Sequence, residues 1–191
     1  MIWQERTDAV WFMAGLLGWC LFVLWGFVIA WEPVHGRAKT FSVQKMPKIW
    51  GILSCAGLAV AALLHFGLDP IYQKLFPKEF PADPQAWIAF TLFDLALTDL
   101  FLCFGPLAFF ARLIPDQRWV IGLTVGFNLL VLGFKLGASP ETPPLGIIIA
   151  LTLYRLADAL AAVYLYRWGG VWPVWYLTLL IDLRHLLQFI A

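Results

Sequence analysis

The run VWPVWYLTLLIDLRHLLQFI, residues 171–190, is apolar along most of its length yet holds Asp182, Arg184 and His185. As a helix rising about 1.5 Å per residue, it carries Asp182 roughly 16 Å from its start. That is near the middle of a bilayer core about 30 Å thick. A charge at that depth costs at least about 2.5–3.5 kcal/mol, so it needs a partner or a task.

The rest of the chain has the same character. Of its 191 residues, 62% are hydrophobic and 13% charged, and its mean hydropathy is +0.80. Soluble domains carry about a quarter charged residues, so the whole chain reads as one integral membrane domain, residues 1–191. The formal net charge of +1 gives no argument for nucleic acid. Cys20, Cys55 and Cys103 fall inside apolar stretches without metal-type spacing and read as small core residues.

Six spans are readable: Val10–Trp31, Ile49–Leu68, Trp87–Ala111, Trp119–Leu136, Leu145–Tyr166 and Val171–Ile190. Only helices satisfy their own backbone in lipid, and no alternating pattern supports a barrel. The expected fold is therefore all-α, a polytopic transmembrane helix bundle of about six spans. Most prolines, Pro70 included, fall between spans or at their first turns. Pro106 lies late in the third span and should kink it. The first span follows an acidic lead (Glu5, Arg6, Asp8) and no cleavage pattern follows it, so it reads as retained rather than as a signal peptide. The loop Glu32–Lys48 holds Arg37, Lys39, Lys45 and Lys48 against one acid, which places it in the cytoplasm and both termini outside. The expected location is a bacterial inner membrane. Tryptophans at span edges fit an interfacial belt; Trp19 and Trp25 lie mid-span and should face lipid or a neighbouring helix.

Several polar residues lie inside the spans. Asp94 and Asp99, five apart at about 100° per residue, stand roughly 140° apart on an α-helix and should not share a face. Arg155 and Asp158, three apart, should form an ion pair facing the interior. Arg184 lies near enough to a span end to snorkel. His65 reads first as a hydrogen-bonded helix residue, with an axial cofactor ligand as the alternative. His35, His65 and His185 make no recognisable metal set. Nucleotide-binding, zinc-protease and serine-hydrolase motifs are absent.

The stretch 165–187 (LYRWGGVWPVWYLTLLIDLRHLL) resembles the last motif region of the CPBP family, the CAAX prenyl endopeptidase and bacteriocin-processing intramembrane proteins. There a Gly-containing turn and a Trp-Pro-like helix start lead into H-x-x-x-N or H-x-x-x-D. By this resemblance the histidine position is Thr178 and the Asn/Asp position is Asp182. Upstream, the stretch around Phe127 is similar to the family's F-x-x-x-H segment, with Val131 at the histidine position. The E-E-x-x-x-R motif falls on Thr98, Asp99 and Cys103. The resemblance covers roughly the final 95 residues and implies a bundle whose metal-binding histidines are gone. Threonine and valine cannot replace imidazoles as zinc ligands.

Three functions follow. The first is a non-catalytic accessory or assembly subunit that binds other membrane proteins, with no cofactor, no metal and no catalytic residue. Its intramembrane network would be Asp99, Arg155, Asp158, Asp182, Arg184 and His185, with Asp182 locked to the Arg155–Asp158 pair or to Asp99. The second is a hydrolase with a rearranged site of Asp99, Asp182 and His185. The third is a pigment- or cofactor-binding subunit of an energy-converting complex, using His65 and the Trp-rich spans.

Overall fold

The computed structural model describes residues 7–30, 41, 47–77, 80–138 and 143–189. The basic residues of 32–46, His35 and the final two residues lie outside this set. Among the described residues every regular element is a helix. We number six in chain order. Helix α1 is Thr7–Ala30. Helix α2 runs continuously through Pro47–Leu63, Leu64–Leu68 and Asp69–Leu75, and α3 is Pro84–Leu113. Helix α4 is Gln117–Gly137, α5 Leu145–Gly169 and α6 Val171–Asp182.

Four of these, α2 to α5, are long and apolar enough to cross a membrane. For α3, α4 and α5 the ends lie within three residues of the sequence-based spans. One element departs from the six-span expectation. In α1, a helix of 24 residues, the side chains are described from Gly15 on, and Gly15–Ala30 is apolar. The last expected span is not one α-helix: α6 stops at Asp182 and a 3-10 segment, Leu183–Phe189, follows. Such long 3-10 runs are uncommon, and the change of helix type falls on the charged residue itself.

Two helices contain π turns, each tied to a polar or proline residue. In α2, Leu64–Leu68 is π, with the Asp69 N–H donating to the Leu64 carbonyl. Pro70, expected between spans, instead sits inside the continuous helix just after this turn. A helix carried to Leu75 lifts Asp69 out of the expected loop and into the bundle. In α3, Asp94–Thr98 and Leu100–Phe104 are both π. The second lies just before Pro106, which has no N–H to give the preceding turn. There Asn128 Nδ2 of α4 donates to the Leu102 carbonyl at 2.7 Å and to its own Thr124 carbonyl at 3.1 Å.

One end of the bundle is a packed apolar core. Val28 of α1, Phe104 and Leu107 of α3, Val120 of α4, Val163 of α5 and Val174 of α6 meet there, all nearly inaccessible. Phe104 and Tyr166 stack at 4.7 Å, and Trp25 sits against both Phe104 and Trp175. Trp19, by contrast, faces outward beside Phe22. Of the cysteines only Cys103 belongs to this core, while Cys20 and Cys55 are exposed. In lipid an apolar residue is as stable outside as inside, so apolarity did not distinguish them.

Helices α5 and α6 meet in a turn that requires glycine. Gly170 has φ 75° and ψ −153°, a region essentially closed to residues with a side chain. Helices α2 and α6 approach closely at Gly57, where an added Cβ would fall 2.9 Å from the Leu180 Cβ. Such small residues let helix backbones approach when no hydrophobic force drives them together. Nearby, the Ser54 and Tyr176 hydroxyls hydrogen-bond at 2.7 Å.

A polar cavity inside the bundle

The opposite end of the bundle is hollow. A cavity of about 390 Å³ opens between α2, α3, α4, α5 and the end of α6. Its wall carries five carboxyl groups, Asp69, Asp94, Asp99, Asp158 and Asp182, and three basic side chains, Lys135, Arg155 and Arg184. Most intramembrane polar residues singled out in the sequence converge here.

The π turns of α3 account for part of the convergence. In the Asp94–Thr98 turn the Asp99 N–H donates to the Asp94 carbonyl, five residues back. The wider turn closes the 140° separation expected for an α-helix, and both carboxyls line the same cavity. The expectation that they lie on different faces is corrected by that extra residue per turn. Thr98 Oγ1 donates to Asp94 at 2.8 Å, and Thr178 Oγ1 of α6 donates to Asp99 at 3.2 Å.

Arg155 and Asp158 form an ion pair at 3.2 Å on α5, partly shielded in the cavity wall. Asp182 engages neither that pair nor Asp99. Its nearest basic group is Arg184 Nη1, 3.8 Å from Oδ1. Its backbone carbonyl accepts the Trp87 indole N–H at 2.9 Å. Arg184 does not snorkel. Its Nε donates to Asp69 at 3.1 Å, and its Nη1 donates to the Ile181 carbonyl at 3.0 Å. Two side chains thus satisfy carbonyls where α6 ends, which an abrupt helix end inside the bundle requires. The Arg184–Asp69 pair ties the 3-10 segment after α6 to α2, with both side chains mostly buried.

His185 meets Phe80 edge-on at 5.2 Å. His65 lies with His185, Asp69 and Arg184 around a second hollow of about 280 Å³. Among the described residues no group of three His, Cys, Asp or Glu side chains is placed to hold a metal ion.

The sequence reading missed Asp69 as an intramembrane group, because it lay one residue past the expected span. It also missed Thr91, buried in α3 and lining the cavity, and treated Trp87 only as a belt residue. Nothing in the sequence marks Thr91, whereas a helix carried through Pro70 would have flagged Asp69.

Positions remote in sequence also meet here. Thr98, Asp99, Val131, Thr178 and Asp182 all line the one cavity. Cys103 does not; it lies in the apolar core. Compared with known proteins, the chain matches no family model, no curated protein and no solved structure.

Proposed function

We propose that this chain is a non-catalytic integral membrane protein with a CPBP-like helical bundle, acting as an accessory or assembly subunit that binds other membrane proteins. One observation carries the reading. Of the seven positions that the family resemblance assigns to its motifs, five (98, 99, 131, 178 and 182) come from three helices and line one chamber, while Cys103 and Phe127 do not. In that chamber Thr178 donates to Asp99, a hydrogen bond between two positions the resemblance assigns to metal-site motifs. Val131 offers no donor atom to a metal. The chamber of a metal hydrolase would then persist as a frame without its chemistry. On this reading the protein sits in a bacterial inner membrane with both termini outside, as the basic stretch 32–48 implies.

Metal analysis of the protein purified in mild detergent tests this, together with mass spectrometry of the intact assembly. The expected result is sub-stoichiometric zinc and a stable association with a second membrane protein. Stoichiometric zinc that disappears in both Asp99→Ala and Asp182→Ala would establish a rearranged hydrolase instead. A protein recovered only as a lone monomer would remove the accessory role.

A further inference from the structure

The polar chamber has a neighbour. The side hollow of about 280 Å³ lies against it, and four residues, Asp69, Phe80, Arg184 and His185, line both spaces. Those four form the partition between them. On its far side the hollow is walled by Phe66, Pro70 and Gln73, all exposed, Phe66 to 78%. The side hollow therefore meets the surroundings of the bundle, and the partition stands between those surroundings and the chamber.

The partition has two unlike halves. Arg184 Nε donates to Asp69 at 3.1 Å, with both side chains mostly buried. Parting that pair would strand two buried charges, so it acts as a fixed post. Beside it, the Phe80 and His185 rings meet edge-on at 5.2 Å. An edge-to-face ring contact is weak compared with a buried ion pair, and a change of rotamer in either side chain parts it. Both rings also ride on backbone outside the α-helices. Phe80 lies between α2 and α3, and His185 lies in the 3-10 segment, whose hydrogen-bond geometry is poorer than that of an α-helix.

We propose that the Phe80–His185 ring pair is a gate between the side hollow and the polar chamber. It opens beside the fixed Arg184–Asp69 post and admits water and small solutes from the exposed rim at Pro70 and Gln73. The gate stands whether or not the chamber ever held a metal, so its failure leaves the accessory reading to its own tests.

Thr98 lines the chamber but not the side hollow, so a cysteine there reports what reaches the chamber. In the full chain, with the exposed Cys20 and Cys55 replaced by alanine, Thr98→Cys is labelled in detergent with 2-hydroxyethyl methanethiosulfonate. The same chain without Thr98→Cys keeps only the buried Cys103 and gives the background rate. The reagent is uncharged, so the charges of the partition do not concentrate it. A gate whose open state is populated at about 0.1–10% labels slowly, and removing one leaf makes that state permanent. Phe80→Ala should therefore speed labelling about tenfold or more. Gln73→Trp fills the side hollow from its far wall and should return the Phe80→Ala chain to near the parent rate. Phe66→Ala, also on the far wall, should leave the parent rate unchanged. Should Phe80→Ala fail to fold, His185→Ala removes the other leaf and decides. Absence of acceleration in every folded gate variant overturns the proposal. So does an acceleration that survives Gln73→Trp, which would mark entry by another route or a general loosening of the bundle.

Discussion

Asn128 Nδ2 lies 2.7 Å from the carbonyl oxygen of Leu102, four residues before Pro106. The proline removes the N–H that an α-helix would direct at that carbonyl, and a side chain from the neighbouring helix supplies the donor. Asn128 is itself 3% exposed, so each partner rescues the other from an unsatisfied state. Asn128→Leu should therefore destabilise the bundle by about 1–2 kcal/mol. Pro106→Ala restores a backbone donor, so the double variant should lose less than the two single losses added. Unfolding in mixed micelles of rising SDS fraction measures the coupling; strict additivity would show that Asn128 does not serve the proline break.

The α2–α6 contact depends on the absence of a side chain at position 57. A Cβ there would stand 2.9 Å from the Leu180 Cβ and 3.0 Å from its Cδ1. Gly57→Val should cost about 1–3 kcal/mol through overpacking. Leu180→Ala in the same chain should recover only part of that loss, because it removes the colliding Cδ1 and leaves the Cβ in place. If Gly57→Val alone is neutral in the same SDS titration, the helices do not meet as closely as the geometry states.

These contacts show how much of the architecture was legible. Hydropathy found α3, α4 and α5 nearly to their ends, since length and apolarity are what a bilayer demands of any spanning helix. The same demand blurred which face points inward, and Cys20 and Cys55 are exposed as a result. The site was half legible. Arg155–Asp158 followed from α-helical spacing, but Asp94 and Asp99 share a cavity only through π turns. Sequence spacing does not announce a π turn. Arg184 looked like a snorkelling end residue because Asp69, its partner, had been assigned to a loop.

The hinge between α5 and α6 gives a third expectation. Gly170, at φ 75° and ψ −153°, occupies backbone space essentially reserved for glycine. Gly170→Ala should cost about 1–3 kcal/mol. At Gly169 the conformation is helical, but an added Cβ would meet Pro173 Cγ at 2.9 Å. Gly169→Ala should therefore also destabilise, through contact rather than backbone strain. Only the Gly169 variant should be relieved by Pro173→Ala. Thermal unfolding of the four variants in one detergent separates the two causes, and relief of both by Pro173→Ala would mean that the turn itself is unstrained.

The Arg184–Asp69 pair is a buried charged tie between α2 and the 3-10 segment that follows α6, and Arg184 also caps the Ile181 carbonyl. Removing one member of a buried pair strands the other charge and costs about 3–5 kcal/mol. Arg184→Met should do this to Asp69 and also take away the basic group nearest Asp182. Asp69→Leu should strand Arg184 less severely, since Asp182 Oδ1 lies 3.8 Å away and can take its place. Arg184→Met should thus be the more damaging single change. The double variant, with both charges replaced by apolar groups of similar size, should recover stability relative to Arg184→Met. Full recovery is not expected, because Met leaves the Ile181 carbonyl without its side-chain donor. SDS-titration midpoints for the three variants test the order. If the two single changes cost the same and the double recovers nothing, the pair acts as separate surface charges and not as a buried tie.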